Sequence, residues 1–331
     1  MRILLVGGAG DSGSRLAKRL VSQGHTVVVT TRQPPGSVRE RLPPEVEIWQ
    51  LDPIASAEPL RTKLLASPPF HCVVNLLASF LRDPVAVLRD GTRNLVSALL
   101  SRESPPRLVF CSSTAVYGHR PGEILTEDSP TSDLLRVGRL LLEAEDVLRS
   151  ASGLRSVILR LPHIYGLGRE RLFDQMRRGE MFVFGTGRNR MHHLYIEDFV
   201  TILSRSLEPD ISDTVYNAVE DVAEPYGDYM DFIAQWCGQP LPARYEWADL
   251  LTNQAATRCL GPHLANPELL GELYRYMTSE AILSNSRLKQ VFGISFRYPR
   301  FRDGLTEMLT MIGEPDRRMS ESIHTASQWN G

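Results

Sequence analysis

The chain has 331 residues, 42% of them hydrophobic and 23% charged, with a formal net charge of −2. The length suits a large α/β domain with a smaller second lobe. The near-neutral charge removes any bulk electrostatic case for nucleic acid or an anionic membrane as partner. Cys72, Cys111, Cys237 and Cys259 form no CxxC pair and no metal-ligand spacing, so no metal site is expected, and reduced thiols in a cytoplasmic protein fit best. The apolar run at Ile3 to Val6 is too short for a signal peptide, and no stretch approaches the roughly 20 apolar residues of a membrane span.

Strand and helix patterns alternate through the first half. Ile3 to Val6 is an apolar run ending in glycine, the mark of a buried parallel strand. Residues Asp11 to Ser22 have helical spacing, with Leu16, Ala17, Leu20 and Val21 on one face. The β-branched run Thr26 to Thr31 predicts a second strand. Further strands are expected at Val46 to Leu51, Cys72 to Leu77, Leu108 to Ser112 and Ser156 to Leu161, with helices at Pro84 to Leu100 and Leu134 to Leu148. This alternation predicts a doubly wound parallel α/β Rossmann sheet. We place a dinucleotide-binding domain at 1–165 and a smaller C-terminal substrate lobe, interleaved with the sheet, at 166–317. Residues 318–331 are polar and read as a flexible tail.

Gly7, Gly10 and Gly13 are spaced GxxGxxG directly after the first strand and open the first helix. Glycine there lets the backbone turn tightly and approach a pyrophosphate, while the helix N-terminus offers free N–H donors; Asp11 and Ser12 lie in the same turn. The bland alternative is a simple strand–helix turn. At the end of the second strand a carboxylate would favour NAD, but the chain has Thr30-Thr31-Arg32. Arg32 could clamp a 2′-phosphate, which predicts NADP(H) in preference to NAD(H); its alternative is a solvated strand-end arginine. Asp52, after the third strand, is expected near the adenine amino group, or as a turn aspartate.

Six segments in order resemble the extended and atypical short-chain dehydrogenase/reductases, the NAD-dependent epimerase/dehydratase superfamily. They are Gly7–Gly13, Asn75–Ala78, Gly91–Leu95, Cys111–Gly118, Leu159–Gly166 and Tyr195–Asp198. The resemblance implies that Leu76, Leu77 and Ala78 pass the cofactor ribose and that Pro162, His163 and Ile164 flank the nicotinamide. It implies further that Ser113, with Thr114, bonds the substrate oxygen, and that Arg190 meets a substrate phosphate. A dimer through the Pro84–Leu100 helix, as in relatives, is compatible with the sequence.

The chain departs from the family where its Tyr-x-x-x-Lys helix should stand. Alignment through Glu143 puts Leu135 at the tyrosine position and Arg139 at the lysine position, and no tyrosine lies between Tyr117 and Tyr165. Leucine has no proton to give; Arg139 keeps the charge and could bond a ribose hydroxyl. Tyr117, taken as a substrate contact, together with His119, His163, His192 and His193, are the remaining proton-bearing candidates, and each has a structural alternative. Two functions lead: an NADP-dependent oxidoreductase or epimerase/dehydratase on a small polar or sugar-like substrate, and a non-catalytic dinucleotide sensor; a third, a structural subunit with an empty cleft, has the intact glycine triplet against it.

Overall fold

The computed structural model describes residues 1–77, 83–132, 135–253 and 267–313. The first half alternates β1 (Arg2–Val6), α1 (Asp11–Ser22), β2 (Thr26–Thr31), a single turn α2 (Pro35–Val38), β3 (Glu47–Gln50), α3 (Glu58–Ala66) and β4 (Cys72–Asn75). A π-helical segment (Val85–Asp90) leads into α4 (Gly91–Leu99), followed by β5 (Arg107–Ser113), a 3-10 turn (Thr114–Tyr117), β6 (Arg120–Leu125), α5 (Arg136–Ser150) and β7 (Ser156–Leu161). The expected helix over 84–100 is thus two helices of different winding in series, a difference the apolar spacing does not encode.

Beyond these come β8 (His163–Tyr165), α6 (Arg171–Arg177), β9 (Val183–Phe184), β10 (Arg190–Met191), β11 (His193–Tyr195), α7 (Ile196–Arg205), β12 (Val215–Asn217), β13 (Glu224–Pro225), α8 (Tyr226–Trp236), β14 (Arg244–Tyr245) and α9 (Trp247–Thr252). The last elements are α10 (Pro267–Thr278), β15 (Ala281–Leu283), α11 (Ser286–Phe292) and α12 (Phe301–Ile312).

Seven parallel strands form the central sheet in the order β12-β7-β5-β4-β1-β2-β3. Its strands are apolar on both faces because both are covered. Ile3 and Leu5 join Val27, Val29 and Val109 in the core on the α1 and α7 side, whereas Leu4, Val6, Val28 and Val73 belong to the core shared with α3, α4 and α5. Strand order reverses between β1 and β4, the place where α/β sheets open a crevice at their carboxyl edge. The sheet takes its edge strand from 215–217, so the 166–317 segment is shared between sheet and lobe. Buried Arg107 ties that return together, donating to Asp213 at 2.5 Å and to the carbonyls of Glu208 and Ile211. The lobe adds a small core of its own from Phe182, Phe184, Leu250 and Leu270.

Candidate active site

The loop after β1 is shaped by three glycines with different tasks. Gly7 has φ +76°, a left-handed conformation that L side chains rarely adopt, and its N–H donates to the buried Thr30 hydroxyl at 2.9 Å. A Cβ on Gly13 would lie 2.4 Å from the Gly8 carbonyl oxygen, so α1 can approach the loop only with glycine there. Gly10 is exposed, and a Cβ on it would meet nothing nearer than the Gly7 oxygen at 3.6 Å. Packing therefore does not explain glycine at position 10; open space beside the α1 N-terminus does. That space, with the free N–H groups of the first helical turn beneath it, fits the diphosphate of a dinucleotide.

The same turn is strapped from the lobe side. Arg169, four residues after β8, donates to the Asp11 carboxylate at 2.9 Å and to the Ser12 hydroxyl at 2.8 Å. Arg15 holds the other Asp11 oxygen at 2.9 Å, pairs with Glu197 at 2.6 Å and donates to the Leu167 carbonyl at 2.6 Å. Two guanidinium groups thus neutralise a carboxylate that would otherwise repel an anion at this helix end. Leu76 and Leu77 leave β4 beside Gly7, where a Cβ would lie 3.2 Å from the Leu77 side chain. Arg32 is exposed at the end of β2. Ala78 lies outside the described residues.

A narrow cleft with a cavity volume of about 40 Å³ opens next to the carboxyl edge. Thr114, Ala115, Gly118 and Leu135 line it from the sheet side and His163 from β8; Arg190, Met191, His192, Tyr276, Ser279, Ala281 and Leu283 close it from the lobe. Gly138 brings α5 to this edge, since a Cβ there would sit 2.6 Å from the Ala115 oxygen.

The model of the NAD dependent epimerase/dehydratase family matches residues 3–218. The chain belongs to this family.

Among relatives, it is 32% identical to a UDP-glucose 4-epimerase of Azospirillum brasilense over 175 residues, 50% of this chain and 49% of that protein. The chain spans about half the length of the curated relatives it matches. Human epimerase family protein SDR39U1, solved with NADPH, superposes with a TM-score of 0.68 at 20% identity, covering 93% of this chain and 99% of that one. The Bordetella bronchiseptica enzyme WbmG, solved with NAD, gives 0.71 at 22% identity, covering 94% and 93%.

Within this epimerase/dehydratase scaffold several expected positions take other tasks. Tyr117 is no substrate contact: it is fully buried, and its hydroxyl donates to Asn217 Oδ1 at 2.7 Å while accepting from Arg160 at 2.8 Å. That hydroxyl belongs to a buried network in which Glu145 accepts from Arg160, from Ser112 at 2.6 Å and from Arg149 at 2.6 Å. Burying this ion pair is tolerable because both charges are saturated with hydrogen bonds. The network ties β5, α5, β7 and β12 together behind the cleft. Ser113 caps the 3-10 turn, its hydroxyl accepting from Ala115 N at 3.2 Å, so Thr114 rather than Ser113 lines the cleft. Asp52 makes a tight turn onto Ile54 N. Arg190 lines the cleft but directs Nε and Nη2 to the Ala223 carbonyl. Arg139 is exposed on α5 and is absent from the cleft lining.

The histidines divide between strut and cleft. His119 Nδ1 accepts from Glu280 N at 2.9 Å and so props the lobe. His192 bridges the Glu220 carbonyl and Leu283 N, its ring kept neutral by burial that lowers its pKa to about 4. His193 points the opposite way, as adjacent strand residues must, and stacks on Tyr229 at 4.3 Å. His163 remains exposed to the cleft; the atoms crowding the ring, and then the Arg169 charge, lower its pKa and favour the neutral imidazole. Sequence reasoning missed Arg169 and Tyr276. Arg169 follows the family's strand in sequence, but nothing local announces its partners on α1; Tyr276 carried no signal either. Among the described residues no cluster of histidine, cysteine and carboxylate side chains could hold a metal ion, and no helix is long and apolar enough to cross a membrane.

Proposed function

We propose that the chain is an NADP-dependent oxidoreductase or epimerase/dehydratase-type enzyme acting on a small polar or sugar-like substrate. The observation that carries this is the pairing, at one sheet edge, of an unfilled glycine loop with a cleft lined by a hydroxyl and an imidazole. When bound, the dinucleotide supplies or accepts the hydride. Gly7, Gly10, Gly13 and the N–H groups of Ser12 and Gly13 take the diphosphate, with the Asp11 carboxylate paired to Arg15 and Arg169. Arg32 meets the 2′-phosphate and Asp52 lies toward the adenine. Leu76, Leu77, Ala78 and Arg139 attend the riboses, and Pro162, His163 and Ile164 flank the nicotinamide. Thr114, with Ser113 behind it, orients the substrate oxygen, and Arg190 borders the substrate. A homodimer through α4 is part of this reading, checked by sedimentation.

A second reading, a dinucleotide sensor without chemistry, is supported by Leu135, which lines the cleft, has no proton to give and, by the alignment through Glu143, stands in the tyrosine's place. Calorimetric titration with NADP and NAD tests the cofactor assignment. A charge-assisted arginine–phosphate contact stabilises by about 1.5–3 kcal/mol, roughly 10- to 150-fold in affinity. NADP is therefore expected to bind that much more tightly, and Arg32→Ala to erase most of the difference. Equal affinities in the unmodified protein would refute the NADP assignment, and no binding of either would refute the whole reading.

A further inference from the structure

We infer that Tyr276, on the lobe side of the cleft, is the catalytic proton donor that α5 lacks; the inference rests on the enzyme reading above. Leu135 and Tyr276 line the same cavity, one from the sheet side and one from the lobe, and Thr114 and His163 share that lining. The Tyr276 side chain is half-buried, and its hydroxyl has no hydrogen-bond partner among the described residues. Four of the nine other tyrosines spend theirs on the protein: Tyr117 on Asn217, Tyr165 on the Arg300 and Phe301 carbonyls, Tyr216 on the Ser212 carbonyl and Tyr274 on Glu246. A half-buried hydroxyl with no protein partner is left for water or a ligand to satisfy.

Its backbone, by contrast, is firmly held. Asn189 donates to the carbonyls of Met277 and Ser279 at 3.0 Å each. Glu280 accepts from Arg190 N at 2.9 Å and donates its own N–H to His119 at 2.9 Å. The segment bearing Tyr276 is therefore fixed to both walls of the cleft, which is the rigidity a proton donor needs.

Tyr276 breaks its O–H bond to give the substrate oxygen a proton as the carbonyl carbon takes hydride from the reduced nicotinamide. The carbonyl is reduced, the dinucleotide is oxidised, and the tyrosinate recovers a proton from solvent. Burial of the phenol raises its pKa, so the group carries its proton at neutral pH. The Thr114 hydroxyl, a far weaker acid, holds the oxygen in place.

The test compares the full chain with Tyr276→Phe, His163→Asn and, two residues earlier on the same helix and bonded to Glu246 instead of lining the cleft, Tyr274→Phe. The probes are NADPH with 4-nitrobenzaldehyde, and UDP-glucose with NADP. Tyr276→Phe is expected to lower kcat about a hundredfold or more, with KM, NADPH affinity and melting temperature unchanged. The fall of kcat at alkaline pH should disappear with it. The tyrosinate absorbance of the unmodified protein minus that of Tyr276→Phe, titrated without substrate, should give the pKa at which that fall occurs. Full activity in Tyr276→Phe, loss in His163→Asn alone, or a mismatched titration overturns the inference and leaves the enzyme reading standing. NADPH binding without turnover of either probe by the unmodified protein overturns the enzyme reading and the inference with it.

Discussion

At the scale of single residues, the glycine loop shows that one motif combines unlike requirements. Gly10 adopts φ −74° and ψ 177° at the α1 N-cap, a conformation open to any residue, and it has room for a Cβ. Gly10→Val should therefore leave the fold within about 1 kcal/mol, the scale of an N-cap substitution, while abolishing dinucleotide binding by filling the space the diphosphate takes. Gly13→Ala should do the reverse damage. Its Cβ would strike the Gly8 backbone at 2.4 to 2.6 Å, and overpacking of this kind costs about 1–3 kcal/mol. Thermal denaturation and calorimetric titration of the two variants separate the cases. Unchanged affinity in Gly10→Val would sink the diphosphate assignment.

At the scale of elements, the segment after β8 and the first turn of α1 act as one unit through Arg169. A carboxylate in the first helical turn ordinarily welcomes the helix dipole but opposes a bound anion; Arg169 and Arg15 remove that opposition at Asp11. Arg169→Ala should weaken NADP binding about tenfold or more, the scale of one charge-assisted hydrogen bond, and leave adenosine binding unchanged, because adenosine has no phosphate. A loss of equal size for both ligands would show that Arg169 supports the loop rather than the phosphates. The motif at Gly7–Gly13 was readable because its demands are local. Arg169 was not, because its partners lie 157 and 158 positions earlier in the chain.

At the scale of the whole molecule, lobe and sheet meet across a buried polar seam. Glu220, just beyond β12, accepts from His193 N at 2.7 Å, but its second oxygen and His193 Nδ1 are buried without hydrogen-bond partners. Burial raises the Glu220 pKa well above the usual carboxylate range, so the folded protein keeps a proton that the unfolded chain releases above about pH 4.5. Its contribution to stability is thus complete below that pH and declines as pH rises toward the folded pKa. His192 has the opposite sign: its contribution is complete above pH 6.5 and declines as pH falls toward about 4. Glu220→Gln should therefore gain stability relative to the unmodified protein as pH rises from 5 to 8, by about 1.4 kcal/mol for each unit of the raised pKa titrated in that range. Melting curves of both proteins across that range check it; a gap independent of pH would show that Glu220 is ionised in the fold.

The sequence by itself determined the parallel sheet, the glycine loop and the family. Each depends on short-range rules: apolar runs buried on both faces, β-branched strands, and glycine where a backbone must turn or approach closely. It also placed Leu135, whose side chain has no proton to give, at the position that alignment through Glu143 assigns to the family's tyrosine. Tertiary structure alone decided which hydroxyls face the cleft. Tyr117 stands one turn from Ser113 in sequence yet turns inward, because Asn217 and Arg160, 100 and 43 positions away, satisfy its hydroxyl in the core. Tyr276 lies far beyond every family motif and yet lines the cleft with Leu135, because Asn189, Arg190 and His119 anchor its segment there. Hydrogen bonds between residues so distant in the chain form only when the whole fold brings them together, and no local pattern announces them.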